Sequence, residues 1–278
     1  MREINLTYCV ITYNKVNSLK NVMAELLRYK DVDEEIVVID GGSVDATKDF
    51  IRRLSDRIEY FSSEPDKGEA HAINKGLLAS KGKLIKTISD DDAFLFPEIK
   101  KCKDWMLQNE DVDFLGTDGC VYNNPNHVDM SNYIPEYLNW KNNKHNVFSF
   151  CGLGSFFRRT SLPLIGLYNP NYARVDHEFG LRLTSSNINF AWYTGLTWAR
   201  IPNPKANSGL YQDRINEETR FLDKVYFNKM NTSVLTPLHK NADNIKKTHE
   251  SFDNVIKHKE ALEWLKARSK SVNGEFFK

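Results

Sequence analysis

Between Leu6 and Asp92 the chain repeats one pattern four times: a short run of β-branched and apolar residues that stops at a cluster of polar side chains. The runs are residues 6–11, 35–39, 58–61 and 84–88. The polar stops are Thr12-Tyr13-Asn14, Asp40-Gly41-Gly42-Ser43, Glu64-Pro65-Asp66-Lys67-Gly68 and Ser89-Asp90-Asp91-Asp92. Helix-spaced apolar residues separate them: Leu19, Val22, Met23, Leu26 and Leu27 after an N-cap expected at Ser18, then Phe50, Ile51 and Leu54, then Ala70, Ile73 and Leu77. This alternation predicts βαβ units and an α/β fold, with a mostly parallel sheet covered by helices on both faces. Such sheets bind ligands at the carboxyl ends of their strands. All four polar clusters are therefore expected along one crevice.

Composition narrows the partners. Among 278 residues, 38 Lys+Arg stand against 37 Asp+Glu, a net charge of +1 that argues against a dedicated nucleic-acid binder. No apolar stretch approaches the about 18–20 residues of a membrane span, and the N-terminus shows no apolar core of a secretory leader. Cys9, Cys102, Cys120 and Cys151 form no C-x-x-C pair and read as small core residues in a reducing compartment, so a cytoplasmic location is expected. The charge is uneven: residues 1–204 hold 24 basic and 27 acidic side chains, and residues 205–278 hold 14 and 10.

Farther along, a helix past Pro97 carries Ile99, Cys102, Trp105 and Met106 and leads to a strand at 113–116. Residues 122–150, rich in Asn and aromatics, suggest a long functional loop or lid. Order returns at residues 155–159, and a helix is expected from Asp176 through Leu183. Residues 211–278 are helical in character, with an apolar stripe of Phe252, Val255, Ile256, Leu262 and Leu265 beside several lysines. That stripe suits docking on the rest of the chain, a homodimer contact, or peripheral contact with the inner face of a membrane.

Three consecutive aspartates at the end of a buried strand repel one another and need a cation or donors to compensate them. A hard divalent ion, Mg²⁺ or Mn²⁺, held by oxygens and shared with a diphosphate, is the natural compensation. With this cluster in register with the other strand ends, the sequence resembles the inverting glycosyltransferases of family 2, which have the GT-A fold. The resemblance runs from residue 6 to about 200 through six segments in order. They are Val10-Ile11-Thr12-Tyr13-Asn14; residues 35–47, ending Asp40-Gly41-Gly42-Ser43-Val44-Asp45-Ala46-Thr47; Ser63-Glu64-Pro65-Asp66-Lys67-Gly68 with Ala72-Ile73-Asn74-Lys75-Gly76; Ser89-Asp90-Asp91-Asp92; Phe156-Phe157-Arg158-Arg159; and residues 176–183.

The resemblance implies a GT-A catalytic domain over residues 1–210, with a nucleotide-sugar-binding half (1–120) and an acceptor-side half (121–210), and a helical extension over 211–278. It implies that Thr12, Tyr13 and Asn14 line the base and ribose, and that Asp40, beside Gly41, accepts from a base N3–H. Asp66 and Lys67 reach the base edge or a phosphate. Asp90 and Asp91 contact the ribose or the metal, and Asp92 is the main metal ligand, with Asp90 assisting. Asp176 is implied as the general base, with Glu178 as its alternative, whereas Arg158 and Arg159 serve structure or phosphate contact. The implied activity is metal-dependent, inverting transfer of one sugar, most simply from a UDP-sugar, to a hydroxyl of a glycan or lipid-linked acceptor. Tyr122, Tyr133, Tyr137, Trp140, Trp192, Tyr193 and Trp198 could stack on sugar rings or pack in the core.

Two departures stand out. Where many relatives carry Arg-x-His this chain reads Arg200-Ile201-Pro202-Asn203-Pro204, and the Q-x-x-R-W signature of processive synthases is absent. Rival readings are an inactive sugar-nucleotide or glycan-binding module of the same fold and a sugar-1-phosphate nucleotidyltransferase. The latter needs a Gly-rich basic first loop that Thr12-Tyr13-Asn14-Lys15 does not supply.

Overall fold

The computed structural model describes residues 3–203, 211–227 and 255–278. Its first half follows the expected alternation: β1 (Leu6–Thr12), α1 (Val16–Tyr29), β2 (Glu34–Asp40), α2 (Thr47–Arg52), β3 (Tyr60–Ser63), α3 (Glu69–Ala79) and β4 (Leu84–Ile88). The central strands β2 and β4 are buried along their whole length and β1 at every residue but Ile11, as near-continuous apolar runs require when helices cover both faces. Strands β3, β2, β1 and β4 lie side by side and parallel.

The second half adds β5 (Ala93–Phe94), α4 (Phe96–Gln108), β6 (Phe114–Asn124), β7 (His127–Ser131), α5 (Ile134–Lys141), β8 (Phe156–Arg158), α6 (Leu162–Ile165), α7 (Val175–Thr184) and β9 (Phe190–Arg200). Then come α8 (Gln212–Phe227), α9 (Val255–Ser269) and β10 (Phe276–Phe277). The sheet runs β10-β9-β6-β8-β4-β1-β2-β3, with β5 on β9 and β7 on β6. Short β8 is antiparallel to both β4 and β6 and joins the two halves.

Helix α1 begins at Val16, and Ser18 is a buried residue of its first turn, so the expected N-cap is corrected. Asp45 of the next strand-end loop explains this. Its carboxylate accepts the Val16 N–H at 3.1 Å and the Thr47 N–H at 3.0 Å, satisfying the starts of two helices at once. The expected lid at 122–150 is also corrected in part: it contains the end of β6, the β6–β7 hairpin and α5. Its aromatics are used for packing. Tyr137 is 1% exposed, and its hydroxyl donates to the Phe190 carbonyl at 3.0 Å.

The C-terminal stretch is knitted into this sheet. Strand β10 pairs with β9, and α9 buries Ala261, Leu262 and Leu265 against Ala93, Leu95, Leu196 and Ala199. Val255 and Ile256 of the expected stripe are exposed, and Phe252 lies outside the described residues. The buried part of the stripe is thus spent within the chain. No helix among the described residues is long and apolar enough to cross a membrane.

Candidate functional site

Three strand-end loops are tied together by their own polar atoms. Asn14, in the left-handed region at φ 52°, donates its N–H to Ser43 Oγ at 2.8 Å and accepts the Val44 N–H at 2.8 Å through Oδ1. Asn tolerates that backbone region better than most residues. Gly41 N–H donates to the Thr12 carbonyl at 3.0 Å, and Glu64 N–H to the Asp40 carbonyl at 3.1 Å. Gly42 sits at φ 81°, and a Cβ there would lie 2.9 Å from Pro65 N. A glycine is needed for the Glu64-Pro65 segment to close over this loop.

Asp40 is fully buried, and its oxygens accept from the Ser43 N–H at 3.1 Å, the Ser43 hydroxyl and the Ser63 hydroxyl at 2.6 Å. Ser43 and Ser63 thus hold the Asp40 carboxylate at the end of β2. Asp40 shapes the loop that carries Gly41. Asp66 accepts the Gly68 N–H at 2.8 Å, and exposed Lys67 has no side-chain partner among the described residues.

The three aspartates gather different donors. Asp90 accepts from the Tyr13 N–H at 3.2 Å and from Lys15 Nζ at 3.1 Å. Asp91 accepts from Lys15 Nζ at 2.7 Å and Asn203 Nδ2 at 3.2 Å. Asp92 accepts from the Ser89 hydroxyl at 2.7 Å and the Ile201 N–H at 2.8 Å. Burial, then Asp91, pushes the Asp92 carboxyl up to about 7, against the Ile201 and Ser89 hydrogen bonds. Burial also raises Asp90, with Lys15 pulling it back. Burial works to lower the Lys15 ammonium, but Asp90 and Asp91 outweigh it and hold it well above its ordinary value.

Three carboxylates facing one ammonium leave negative charge in excess, and an oxygen-only donor set suits a hard cation such as Mn²⁺ or Mg²⁺. The chemistry of the residues therefore fits a divalent ion. Among the described residues, the acidic trio whose ligand atoms converge within 4.8 Å is a different one, Asp31, Asp33 and Glu34. It sits at the opposite end of β2, where Lys100 and Lys103 neutralise it.

Asp176 lies in the first turn of α7 and lines a pocket of about 280 Å³ with Tyr133, Ser149, Cys151, Arg174, Trp198 and Arg200. Among the described residues its carboxylate accepts no hydrogen bond, and Gly152 packs against it: a Cβ on Gly152 would lie 3.3 Å from the Asp176 Cβ. Glu69, at the start of α3, faces the same ground. Glu69 is exposed, and the negative charges of Asp176, Asp91 and Asp90 act to raise its carboxyl. Glu178, the alternative base of the resemblance, lies one residue beyond His177 on the same helix. It is buried at 4%, and both its oxygens engage the Arg182 guanidinium. His177 bridges Ser149 at 2.8 Å and Asp223 at 2.9 Å.

Of the seven aromatics, Tyr133 and Trp198 line this pocket, Trp198 at 1% exposure; Tyr122, Tyr137, Trp192 and Tyr193 are core residues at 1% exposure or less, and Trp140 packs on Phe190 and donates to the Thr184 carbonyl. Arg158 and Arg159 are structural: their guanidiniums donate to the carbonyls of Val112, Met106 and Asn109, and of Gly82.

Sequence reasoning missed Lys15, Glu69, Asn203 and His258. Asn203 lies within the segment where a histidine was sought, and it holds Asp91 directly. Pro204 of that segment lies outside the described residues. His258 of α9 is 4% exposed and hydrogen-bonds the Asp92 main chain. Burial pushes its imidazole down to about 4.

The family model described as Glycosyl transferase family 2 matches residues 7–165, more than half of the chain. A dolichyl-phosphate beta-glucosyltransferase of Dictyostelium discoideum is 26% identical over 124 residues, covering 40% of this chain and 38% of that protein. A poly-beta-1,6-N-acetyl-D-glucosamine synthase of Staphylococcus epidermidis is 23% identical over 235 residues, covering 76% and 53%. The chain spans about half or less of the length of the curated relatives it matches. Among solved structures, S. aureus TarS 1-349 in complex with UDP-GlcNAc has a TM-score of 0.58 at 12% identity, covering 84% of this chain and 77% of that one. The mannosyltransferase PcManGT from Pyrobaculum calidifontis, in complex with GDP-Man and Mn²⁺, has a TM-score of 0.56 at 16% identity, covering 97% and 74%. With the family match over the strands and loops that build the crevice, and the fold shared with these structures, the chain belongs to glycosyl transferase family 2 and has the GT-A fold.

Proposed function

We propose that the protein transfers one sugar from a nucleotide-diphospho-sugar, most simply a UDP-sugar, to a hydroxyl of a glycan or lipid-linked acceptor, with inversion at C1. The observation that carries this reading is the Asp176 carboxylate. It is unpaired among the described residues, lines the pocket and has Gly152 packed against it. The 1–120 half binds the donor, the 121–210 half takes the acceptor, and within the 211–278 extension α9 and β10 support the sheet behind the aspartates.

Thr12, Tyr13 and Asn14 face the nucleoside, the Gly41 loop shaped by Asp40 closes beside it, and Asp66 and Lys67 border the phosphates. Asp90 and Asp92 would hold Mn²⁺ or Mg²⁺, with Asp91 kept by Lys15 and Asn203. Such an ion would supply positive charge to offset that of the leaving nucleotide. Asp176 takes the proton of the acceptor hydroxyl as that oxygen bonds to C1. The bond from C1 to the diphosphate breaks on the opposite face, and its electrons leave with the nucleotide. One carboxylate therefore suffices.

A thermal-shift panel of UDP-, GDP-, dTDP- and CDP-sugars with Mn²⁺ tests the donor, because a ligand bound to the native state raises its stability by mass action. UDP-sugars should give the largest rise in Tm. A larger rise with GDP-sugars would overturn the uridine assignment, and no rise with any donor would overturn the transferase reading.

A further inference from the structure

Lys86 lies in the middle of β4, in a strand that otherwise reads as core, and is 0% exposed. Its ammonium has no carboxylate partner among the described residues. It donates to the Thr87 carbonyl at 2.9 Å and to the Leu153 carbonyl, and it sits 5.2 Å from the ring centroids of both Phe94 and Phe156. A buried lysine with no counter-ion is costly, and burial pushes this one down to about 7. An apolar residue in its place would pack without that cost, so its presence calls for a task.

The sheet topology supplies one. Strand β8 pairs with β4 only as far as Phe156 opposite Lys86, and the chain before it leaves the sheet as a tight turn at Gly152–Gly154. Past that point Thr87 has no β8 residue opposite it, and the carbonyls of the turn have left the ladder. Buried carbonyls need partners, and Lys86 bridges the split by bonding one carbonyl on each side. The other ties to the turn are neutral: Thr117 Oγ1 to the Gly154 carbonyl at 3.3 Å and Thr87 Oγ1 to the Gly152 carbonyl at 3.5 Å. Both are longer than the bond from Lys86 to the Thr87 carbonyl. The same turn presses Gly152 against Asp176 and carries Cys151 into the pocket wall.

We infer that Lys86 is a positioning residue: it stitches the sheet where β8 departs and so fixes the 151–154 wall against which Asp176 and the acceptor are held. The catalytic part rests on Asp176 acting as the base, whereas the positioning part does not. A misplacement on the order of 1 Å in such a wall can cost about 10²-fold in rate.

Cys151 offers a direct readout, because it is the one partly exposed cysteine, with Cys9, Cys102 and Cys120 buried, and burial holds its thiol in the weakly reactive protonated form until the wall opens. Lys86→Met keeps the bulk and removes the donors, and Lys86→Gln keeps an N–H₂ donor. In Lys86→Met, labelling of Cys151 by an aromatic disulfide reagent should accelerate about tenfold or more, as local opening becomes easier. Turnover with the donor chosen by thermal shift should fall about tenfold or more while affinity for UDP stays within about twofold. Tm should not fall, and Lys86→Gln should recover most of both losses. Unchanged Cys151 labelling in Lys86→Met overturns the positioning role. Faster labelling with unchanged turnover overturns its consequence for catalysis. Faster labelling in a protein that turns over no donor upholds Lys86 and contradicts the proposed function. Should Lys86→Met fail to fold, hydrogen exchange of the unmodified protein decides: the Gly154 and Ser155 amides should exchange as slowly as those of β4, and free-loop exchange would overturn the inference.

Discussion

Asp176→Asn should lose about 10²–10⁴-fold in turnover while binding the nucleotide as the unmodified protein does, which is the range a positioned general base contributes. The substitution changes little else. Asn is nearly isosteric, no hydrogen bond to the Asp176 carboxylate is broken among the described residues, and Gly152 leaves the room that the side chain needs. Asp176 also lies in the first turn of α7, where a negative charge stabilises a helix by about 0.3–1 kcal/mol. A merely structural aspartate would therefore show that small loss of stability and normal turnover. Its neighbours are poor substitutes as bases. Glu178 is held by Arg182, and His177 is spent between Ser149 and Asp223. Steady-state kinetics beside nucleotide titration checks the split, and turnover surviving in Asp176→Asn moves the base elsewhere.

The second large effect concerns the aspartates. In the unmodified protein Mn²⁺ or Mg²⁺ should raise the affinity for UDP about tenfold or more, some 1.4 kcal/mol, and Asp92→Ala should abolish that increment. The basis is charge. Lys15 compensates Asp90 and Asp91, and the hydrogen bonds from Ile201 and Ser89 leave the Asp92 carboxyl at about 7. Removing the Asp92 side chain also strips the buried Ile201 N–H of its acceptor, at a cost of about 1–3 kcal/mol. Asp92→Asn is the control, since its amide oxygen can still accept from Ile201. Calorimetric titration of UDP with and without Mn²⁺ reads the increment, and equal, metal-independent affinity in all three proteins rules out the site.

Much of the fold was legible because its signals are local. Strand β4 spans the residues expected from its apolar run, and β1 and β2 extend theirs by one residue at an end or at both. The polar stops at these ends do meet, through Asn14, Ser43, Tyr13 and Asp90. What was not legible depends on residues far apart in sequence. Ser18 has the chemistry of an N-cap, yet Asp45 does the capping from the next loop. Residues 122–150 lack a period because their aromatics pack as one cluster around Phe190 and Trp192. Asp40 is the acid that the resemblance places at the base, and Ser43 and Ser63 hold its carboxylate. No spacing rule brings His258 to the Asp92 main chain or Lys86 to the Leu153 carbonyl. Each contact crosses from one element to another that only the folded sheet makes its neighbour.

The central claim is a single-displacement transfer from a nucleotide-sugar in the crevice above β1, β2 and β4, with one carboxylate as base. Proton NMR of the unmodified protein, acting with Mn²⁺ on the donor that stabilises it most, follows the anomeric centre from donor to first-formed product. An α-linked donor should give a β-configured sugar, on an acceptor or as the free sugar from water, with one nucleoside diphosphate released per transfer. A first product that retains the α configuration would contradict the account.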